Sequence, residues 1–259
     1  MRRTKQPAEV SLPRRMRAEM VIRSLFIQAT NNFERMLSLG FLFALWPVIK
    51  KLYRTPEERR EAVLRHLSFF NTQPYFANCI LGVVAHVELR GGEGVDGEVA
   101  HIKKAMMGAL GALGDDLFWT GLMPAAALVA LVFYGALPSY AFVGAISALA
   151  VYNVFHFWTR VKLFHVGLRL GRRVTSYLKM LRLPRFAVGV KIAASFLLGA
   201  FTVAVIWRVA HAGLGGYGAA AAVGIAVFAS VIVQSLGIRP GLCWYIVAAA
   251  ATVVGAITA

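Results

Sequence analysis

Residues 117–136 read LFWTGLMPAAALVALVFYGA, an apolar run that carries no charge beyond its flanks. A membrane-spanning helix takes roughly 17 to 25 mostly apolar residues, so this stretch sets the solvent in which the rest of the chain must be read. Across a short turn around Pro138 it is followed by SYAFVGAISALAVYNVFHFWT (139–159), and the two are expected to form a hairpin. FAVGVKIAASFLLGAFTVAVIW (186–207) reads as a further span, because Lys191 lies near one end and can extend its ammonium to the headgroups. AAAAVGIAVFASVIVQSLGI (219–238) and GLCWYIVAAAATVVGAITA (241–259) bring the expected number to about five. The predicted fold is an all-α integral membrane protein. Composition agrees: 58% of the 259 residues are hydrophobic, more than a soluble domain carries, and no Asp or Glu follows Asp116.

The net charge of +16 raises the question of nucleic acid. Here the basic residues punctuate apolar runs and form no stripe on a soluble surface, so topology explains them and nucleic-acid binding is excluded. The segment 160–191 holds Arg160, Lys162, Arg169, Arg172, Arg173, Lys179, Arg182 and Arg185, whereas the turn at 137–140 has no charge. By the positive-inside rule the basic segment is cytoplasmic, and the basic N-terminal segment 1–22 shares that side. Arg208, beside a loop that this count places outside, runs against it. Cys79 and Cys243 stand far apart without metal-ligand spacing and read as buried apolar residues. No cofactor or metal is expected. The N-terminus lacks the apolar core of a secretory signal.

The N-terminal half is different. FLFALWPVI (41–49) is short and contains Pro47, and YFANCILGVVAHVEL (75–89) is short and flanked by charge. Such lengths suggest interfacial or re-entrant helices. SLFIQATNNFERMLSLGF mixes apolar and polar residues as an amphipathic helix on a membrane or a partner would, so 23–54 reads as amphipathic and interfacial. At 55 a helix start is legible: Thr55 caps, Pro56 takes the first position, and Glu58 completes a capping box. That helix is expected to run to about Phe70. FFNTQPY (69–75) then gathers Asn71, Thr72 and Gln73 just where Pro74 disfavours helical geometry. Unpaired backbone at membrane depth is tolerated only inside protein or beside a watery cavity, so these residues either face something polar within the membrane or form a loop at headgroup level.

A second element of this kind is IKKAMMGALGALGDDLFW (102–119). Gly108, Gly111 and Gly114 recur every third residue, which permits close backbone approach or local unwinding. Asp115 and Asp116 then stand directly before a spanning helix, where an acid either caps the helix or marks a functional site. Residues 55–119 thus read as a helix plus re-entrant elements, and 120–259 as the transmembrane region. Two interrupted helices resemble the broken-helix design of secondary transporters. Asn and Asp are natural partners for an uncharged, hydroxyl-rich solute such as a sugar.

With both elements in place, the sequence resembles the IID membrane component of the mannose/fructose/sorbose family of the bacterial sugar phosphotransferase system. QATNNFERMLSLGF, YRTPEERREAVLRHLSFFNTQPY, IKKAMMGALGALGDDLFW and, more weakly, YNVFHFWTRVKLFHVGLRLG carry the resemblance, from about Arg23 to Gly171. It implies a transport subunit of the inner membrane with no phosphoryl-transfer residue of its own. Such a subunit pairs with a IIC chain, assembles into trimers of heterodimers, and passes a hexose-type sugar to IIA and IIB phosphocarriers that phosphorylate it on entry. Carried over by motif, Asn71 and Asp115 are the foremost candidates for sugar contacts, with Thr72, Gln73 and Asp116 beside them. Gln28, Asn32 and Glu34 fall in the early motif, at the IIC interface or the cavity, and Asn153 and Arg160 fall in a structural one. His66, His86, His101, His156, His165 and His211 have no context for phosphate relay.

Several positions depart from the family pattern: Asn31, Gln73, Ala109, the Gly111–Ala112 pair and Asp116. They lie near the expected site, and they leave room for a second reading, a non-transporting relative that acts as membrane anchor or sensor in phosphotransferase signalling. A membrane enzyme is a poor fit, since the GDD triplet shared with polymerase metal sites needs a further distant acid and none follows Asp116.

Overall fold

A computed structural model describes residues 12–211, with side chains to Thr202. The described residues form nine α-helices and no strand. The expected spans at 219–238 and 241–259, Arg208 and the loop near His211 lie outside the side chains described. By contacts the chain divides into two units, Met1–Ala126 with Leu149–Ala193, and Ala127–Ala148 with Ala194–Ala259.

Three helical stretches are long and apolar enough to cross a membrane: Val95–Ala136, Pro138–Met180 and Leu183–Thr202. The first joins α5 (Val95–Leu117) to α6 (Met123–Ala136) through a π-helical turn at Phe118–Leu122. Four of its charges, Asp96, Glu98, Lys103 and Lys104, gather near its beginning, before its apolar part. The element expected to be broken at GALGALGDD is thus continuous, and Asp115 and Asp116 sit within it and cap nothing. Of the three glycines Gly114 serves close approach, since a Cβ there would stand 2.5 Å from the Cβ of Gln73, whereas nothing lies within 4 Å of one on Gly108.

The hairpin expected around Pro138 is present. A 3₁₀ turn at Pro138–Tyr140 links α6 to α7 (Ala141–Leu170). Within the second unit Gly144 fits against Phe133, whose Cβ would lie 2.5 Å from an added methyl. The basic segment, read as a cytoplasmic connection, is largely helical. α7 runs through its first eleven residues, Gly171 turns the chain at φ +52°, and α8 (Val174–Met180) precedes α9 (Leu183–His211).

In the first unit the chain begins with α1 (Arg14–Ser24), inside the segment read as a basic tail. Of the amphipathic helix expected over 24–41, Ser24 ends α1 and residues 38–41 belong to the next helix, but residues 25–37 between them form turns. The Asn32 carboxamide oxygen takes the Arg35 N–H at 2.8 Å, and Met36 adopts φ +52°, which no continuing helix allows. α2 (Ser38–Leu52) follows, with Pro47 inside it. Proline has no N–H for the carbonyl four residues back, and the Arg23 guanidinium reaches that Phe43 oxygen at 3.4 Å. α3 (Pro56–His66) starts with the expected capping box, in which Thr55 Oγ1 accepts the Glu58 N–H at 3.2 Å and Glu58 accepts the Thr55 N–H at 3.1 Å. It ends four residues before the expected Phe70.

α4 (Ala77–Arg90) is neither interfacial nor a span. At 14 residues it is about 21 Å long, too short to cross, and it is almost wholly buried in protein. Its backbone meets that of α7 directly: an added Cβ on Gly82 would lie 2.2 Å from the Phe164 oxygen, and one on Gly167 2.4 Å from the Cys79 oxygen. Asn78 ties the two helices by donating to Ser24 Oγ at 2.8 Å and to the Arg160 oxygen at 3.3 Å. Arg160 in turn donates to the Ser24 carbonyl at 2.6 Å, so Asn78 and Arg160 close α1, α4 and α7 together.

At the far end of α4 the buried Glu88 gathers three donors. Oε1 accepts from Arg65 Nη1 at 2.8 Å and from His66 Nε2 at 2.9 Å, and Oε2 accepts from the Tyr53 hydroxyl at 2.6 Å. The buried Lys103 donates to the His66 carbonyl at 3.1 Å and lies over the rings of Phe41 and Phe70. Burial drives the His66 imidazole down to about 4, so it is neutral with its proton on Nε2. Burial alone would raise the Glu88 carboxyl, but the hydrogen bonds from His66 and Tyr53 bring it below its ordinary value.

A pH dependence follows. Above about pH 6.5 His66 is neutral in both folded and unfolded chains; between 6.5 and about 4 only the unfolded chain takes up the proton, and stability falls. The expected loss is about 3 kcal/mol across that window. Glu88 adds a loss of the same sign at lower pH still, as its depressed carboxyl protonates. Thermal unfolding of the detergent-solubilised protein should drop through this range, and His66→Asn should flatten the drop.

Candidate functional site

The backbone break between α3 and α4 is held open by the turn segment before α2. The Leu37 N–H donates to the Phe70 oxygen at 2.9 Å and the Phe70 N–H to the Arg35 oxygen at 3.4 Å, so Met36 and Phe70 pair as a single β-bridge. Those bonds satisfy backbone that neither helix can. They also bring the early motif against FFNT, and α5 closes over both. At Gly111 α5 lies beside the Thr72 backbone, where an added Cβ would stand 3.7 Å from the Thr72 Cα, an ordinary van der Waals contact.

A cavity of about 340 Å³ opens where the three segments meet. That is within the range of small-ligand sites. Asn71, Thr72, Asp115 and Gln28 line it together, although 87 residues separate the first and last of them in the chain. Its wall is polar, and the Thr72 hydroxyl is buried without a hydrogen-bond partner. An orphaned hydroxyl of this kind costs on the order of 1–3 kcal/mol, which a ligand bond would recover. The set offers a carboxylate that only accepts and amides and a hydroxyl that do both.

Four other candidates are elsewhere. Gln73 is turned inward, where its Oε1 accepts the N–H groups of Tyr75 and Phe76 at 2.8 and 3.0 Å and closes the first turn of α4. Asp116 points to the other side of α5, paired with Lys191 Nζ at 2.6 Å and with Thr120. Asn32 is spent on the turn already described, and Glu34 pairs with Arg35 at the exposed surface. Consecutive residues on a helix are about 100° apart, so one of the two aspartates had to face away.

Asn31, named above only as a departure from the family pattern, and Trp119 also line the cavity and were not among the expected site residues. Trp119 lies four residues after Asp115, on the same face of the helix, as the second residue of the π-helical turn. Its ring sits 6.0 Å from that of Tyr75, which is hydrogen-bonded through its hydroxyl to Tyr152 at 2.8 Å. Among the described residues no group of three His, Cys, Asp or Glu could hold a metal.

A family model for the IID component of the mannose/fructose/sorbose phosphotransferase system matches residues 11–237. The chain belongs to that IID family. This IID chain is 34% identical over 183 residues to the mannose-specific EIID component of Escherichia coli strain K12, covering 69% of the chain and 64% of that protein. It is 32% identical over 185 residues to the fructose permease IID component of Bacillus subtilis strain 168, covering 70% and 66%. The sorbose-specific EIID component of Klebsiella pneumoniae is 31% identical over a stretch of equal length, with the same coverage. The IID chain thus spans just under two thirds of the length of the mannose-specific relative. Among solved structures, one described only as a membrane protein aligns with a TM-score of 0.65 at 33% identity, covering 74% of this chain and 71% of its own. The cryo-EM structure of the mannose transporter ManYZ with microcin E492 aligns at 0.57 and 34% identity, covering 74% and 70%.

Proposed function

We propose that this IID chain is one membrane subunit of a sugar permease, which moves a hexose-type sugar across the bacterial inner membrane together with a IIC chain while IIA and IIB carriers phosphorylate it. The observation that carries the proposal is the polar cavity that joins Asn71, Thr72 and Asp115, with its unsatisfied hydroxyl and no buried counter-cation. A cavity that leaves a carboxylate and two kinds of neutral donor free suits a neutral polyol better than an ion. Trp119 adds an apolar face against which the C–H side of a sugar ring packs. The chain's part is binding and passage, with the N-terminus on the cytoplasmic side and trimers of IIC–IID pairs as the working assembly.

The test is to tag the chain, extract it in mild detergent from its own membranes, and identify what accompanies it. Co-purification of a IIC chain in comparable amount, with sugar uptake lost on deletion and restored on re-expression, is the expected result. A IIC partner with no uptake of any hexose would overturn the transport reading in favour of the anchor or sensor role.

A further inference from the structure

α1 is a basic helix, and its arginines are not scattered around it. Arg14, Arg17 and Val21 with Ile22 follow a spacing of three and four, so they share one side. That side faces the end of α7, and between the two helices lies a groove of about 420 Å³. Arg14, Arg17 and His165 stand at it together with Val21, Ile22 and Val161, and among the described residues no acid lines it. Arg17 has its Nε buried without a partner. The Nδ1 of His165 donates to the Val161 carbonyl at 2.8 Å, which leaves Nε2 for another group.

The apolar side of the groove continues along α7. Val154, Trp158 and Val161 recur at intervals of four and three, and they are 67, 57 and 42% exposed. The stripe runs from the apolar body of a membrane-crossing helix to its basic end, where the groove lies. A row of exposed hydrocarbon leading into an acid-free cluster of arginines has the two-part form of a phospholipid, with chains on the stripe and a phosphate among the cations.

We propose that the groove between α1 and α7 binds an anionic phospholipid, with Arg14 and Arg17 on its phosphate and the acyl chain along Val161, Trp158 and Val154. The phosphate supplies the acceptor that Arg17 Nε lacks, and a guanidinium pair gives it directional, charge-assisted bonds. The proposal stands independently of the sugar reading, because none of these residues lines the polar cavity. It makes α1 a lipid-anchored clasp on the spanning bundle.

The full-length chain, extracted with the subunits that accompany it and stripped of lipid, is titrated with phosphatidylglycerol or phosphatidylcholine and read by native mass spectrometry. The expected result is preferential retention of phosphatidylglycerol, weakened roughly thirtyfold in R14Q/R17Q at about one factor of five to six per arginine. R14K/R17K should retain most of the preference, and R54Q/R60Q, which removes equal charge from exposed sites around α3, should leave it unchanged. Equal retention by R14Q/R17Q, equal loss in R54Q/R60Q, or loss in R14K/R17K would overturn the proposal. So would full displacement of the lipid by inorganic phosphate, which would assign the cations to a free anion, or a groove occupied by a subunit so that no lipid is retained.

Discussion

Asp115→Asn is expected to lower sugar uptake about a hundredfold while the complex still assembles. The substitution keeps the shape of the side chain and exchanges one acceptor oxygen for a donor, in a cavity whose other polar members are neutral. Hydrogen bonds to a charged group contribute on the order of 1.5–3 kcal/mol, and 2.7 kcal/mol is about a factor of a hundred. On the proposed reading, in which the chain's part is binding and passage, the loss should fall on the transport step and on apparent affinity together. Asp116→Asn is the matched control: that carboxylate faces Lys191, so uptake should change little and thermal stability slightly. Equal uptake by wild type and Asp115→Asn would remove Asp115 from the site, and loss of the complex would show that it holds the fold.

Glu88→Ala should destabilise the first unit by about 3–5 kcal/mol, because the His66 Nε2–H and the Tyr53 hydroxyl lose their acceptor, at roughly 1–3 kcal/mol each, and Arg65 loses one of its two acids. Arg65, His66 and Tyr53 all converge on this carboxylate, and only one of them, Arg65, has an alternative acid in Asp96. The effect should appear as a lower midpoint in thermal unfolding and as poor recovery from detergent. Because Lys103 bonds the carbonyl of His66 at the end of α3, the damage should extend to the break that follows and reduce uptake as well. An unchanged midpoint would mean that the cluster is solvated and contributes little.

Much of this architecture was legible in the sequence because its signals are local. The capping box at Thr55 needs four residues, the break at FFNTQP needs Pro74, and the apolar runs from 117 onward need only a count. Asn71 and Asp115 could be named from the same polar interruptions, and both line one cavity. What was illegible depends on partners distant in the chain. The segment 25–37 has the composition of an amphipathic helix, yet its backbone bonds go to Phe70, a pairing no periodicity announces. α4 carries charge at its ends like an interfacial helix, but Glu88 is neutralised from three sides and the helix is interior. The triple-glycine repeat allowed either close approach or unwinding, and only the packing of Gly114 against Gln73 and Phe76 in an intact helix decides for the first.

Trp119 was legible and was passed over: it stands four residues after Asp115, a spacing that keeps two side chains on one face of a helix, and both line the cavity. Asn31 lay in plain view as a departure from the family pattern, and only its neighbours reveal which way it faces.

The meeting of α4 and α7 at Gly82 and Gly167 bears on how this unit can move. Packed helices slide over one another when side chains between them exchange rotamers, but here main chain rests on main chain and nothing intervenes to exchange. Sliding is closed to this pair, and Asn78, bonded to the Arg160 carbonyl, pins the rotation that would remain. α4 and the end of α7 must then travel as one piece. Displacement between α4 and α5 has to be absorbed where the chain is built to bend, at Gly91, Gly92 and Gly94, each with a positive φ and open space where a side chain would be. The stiffest contact in the unit thereby determines the place of its joint.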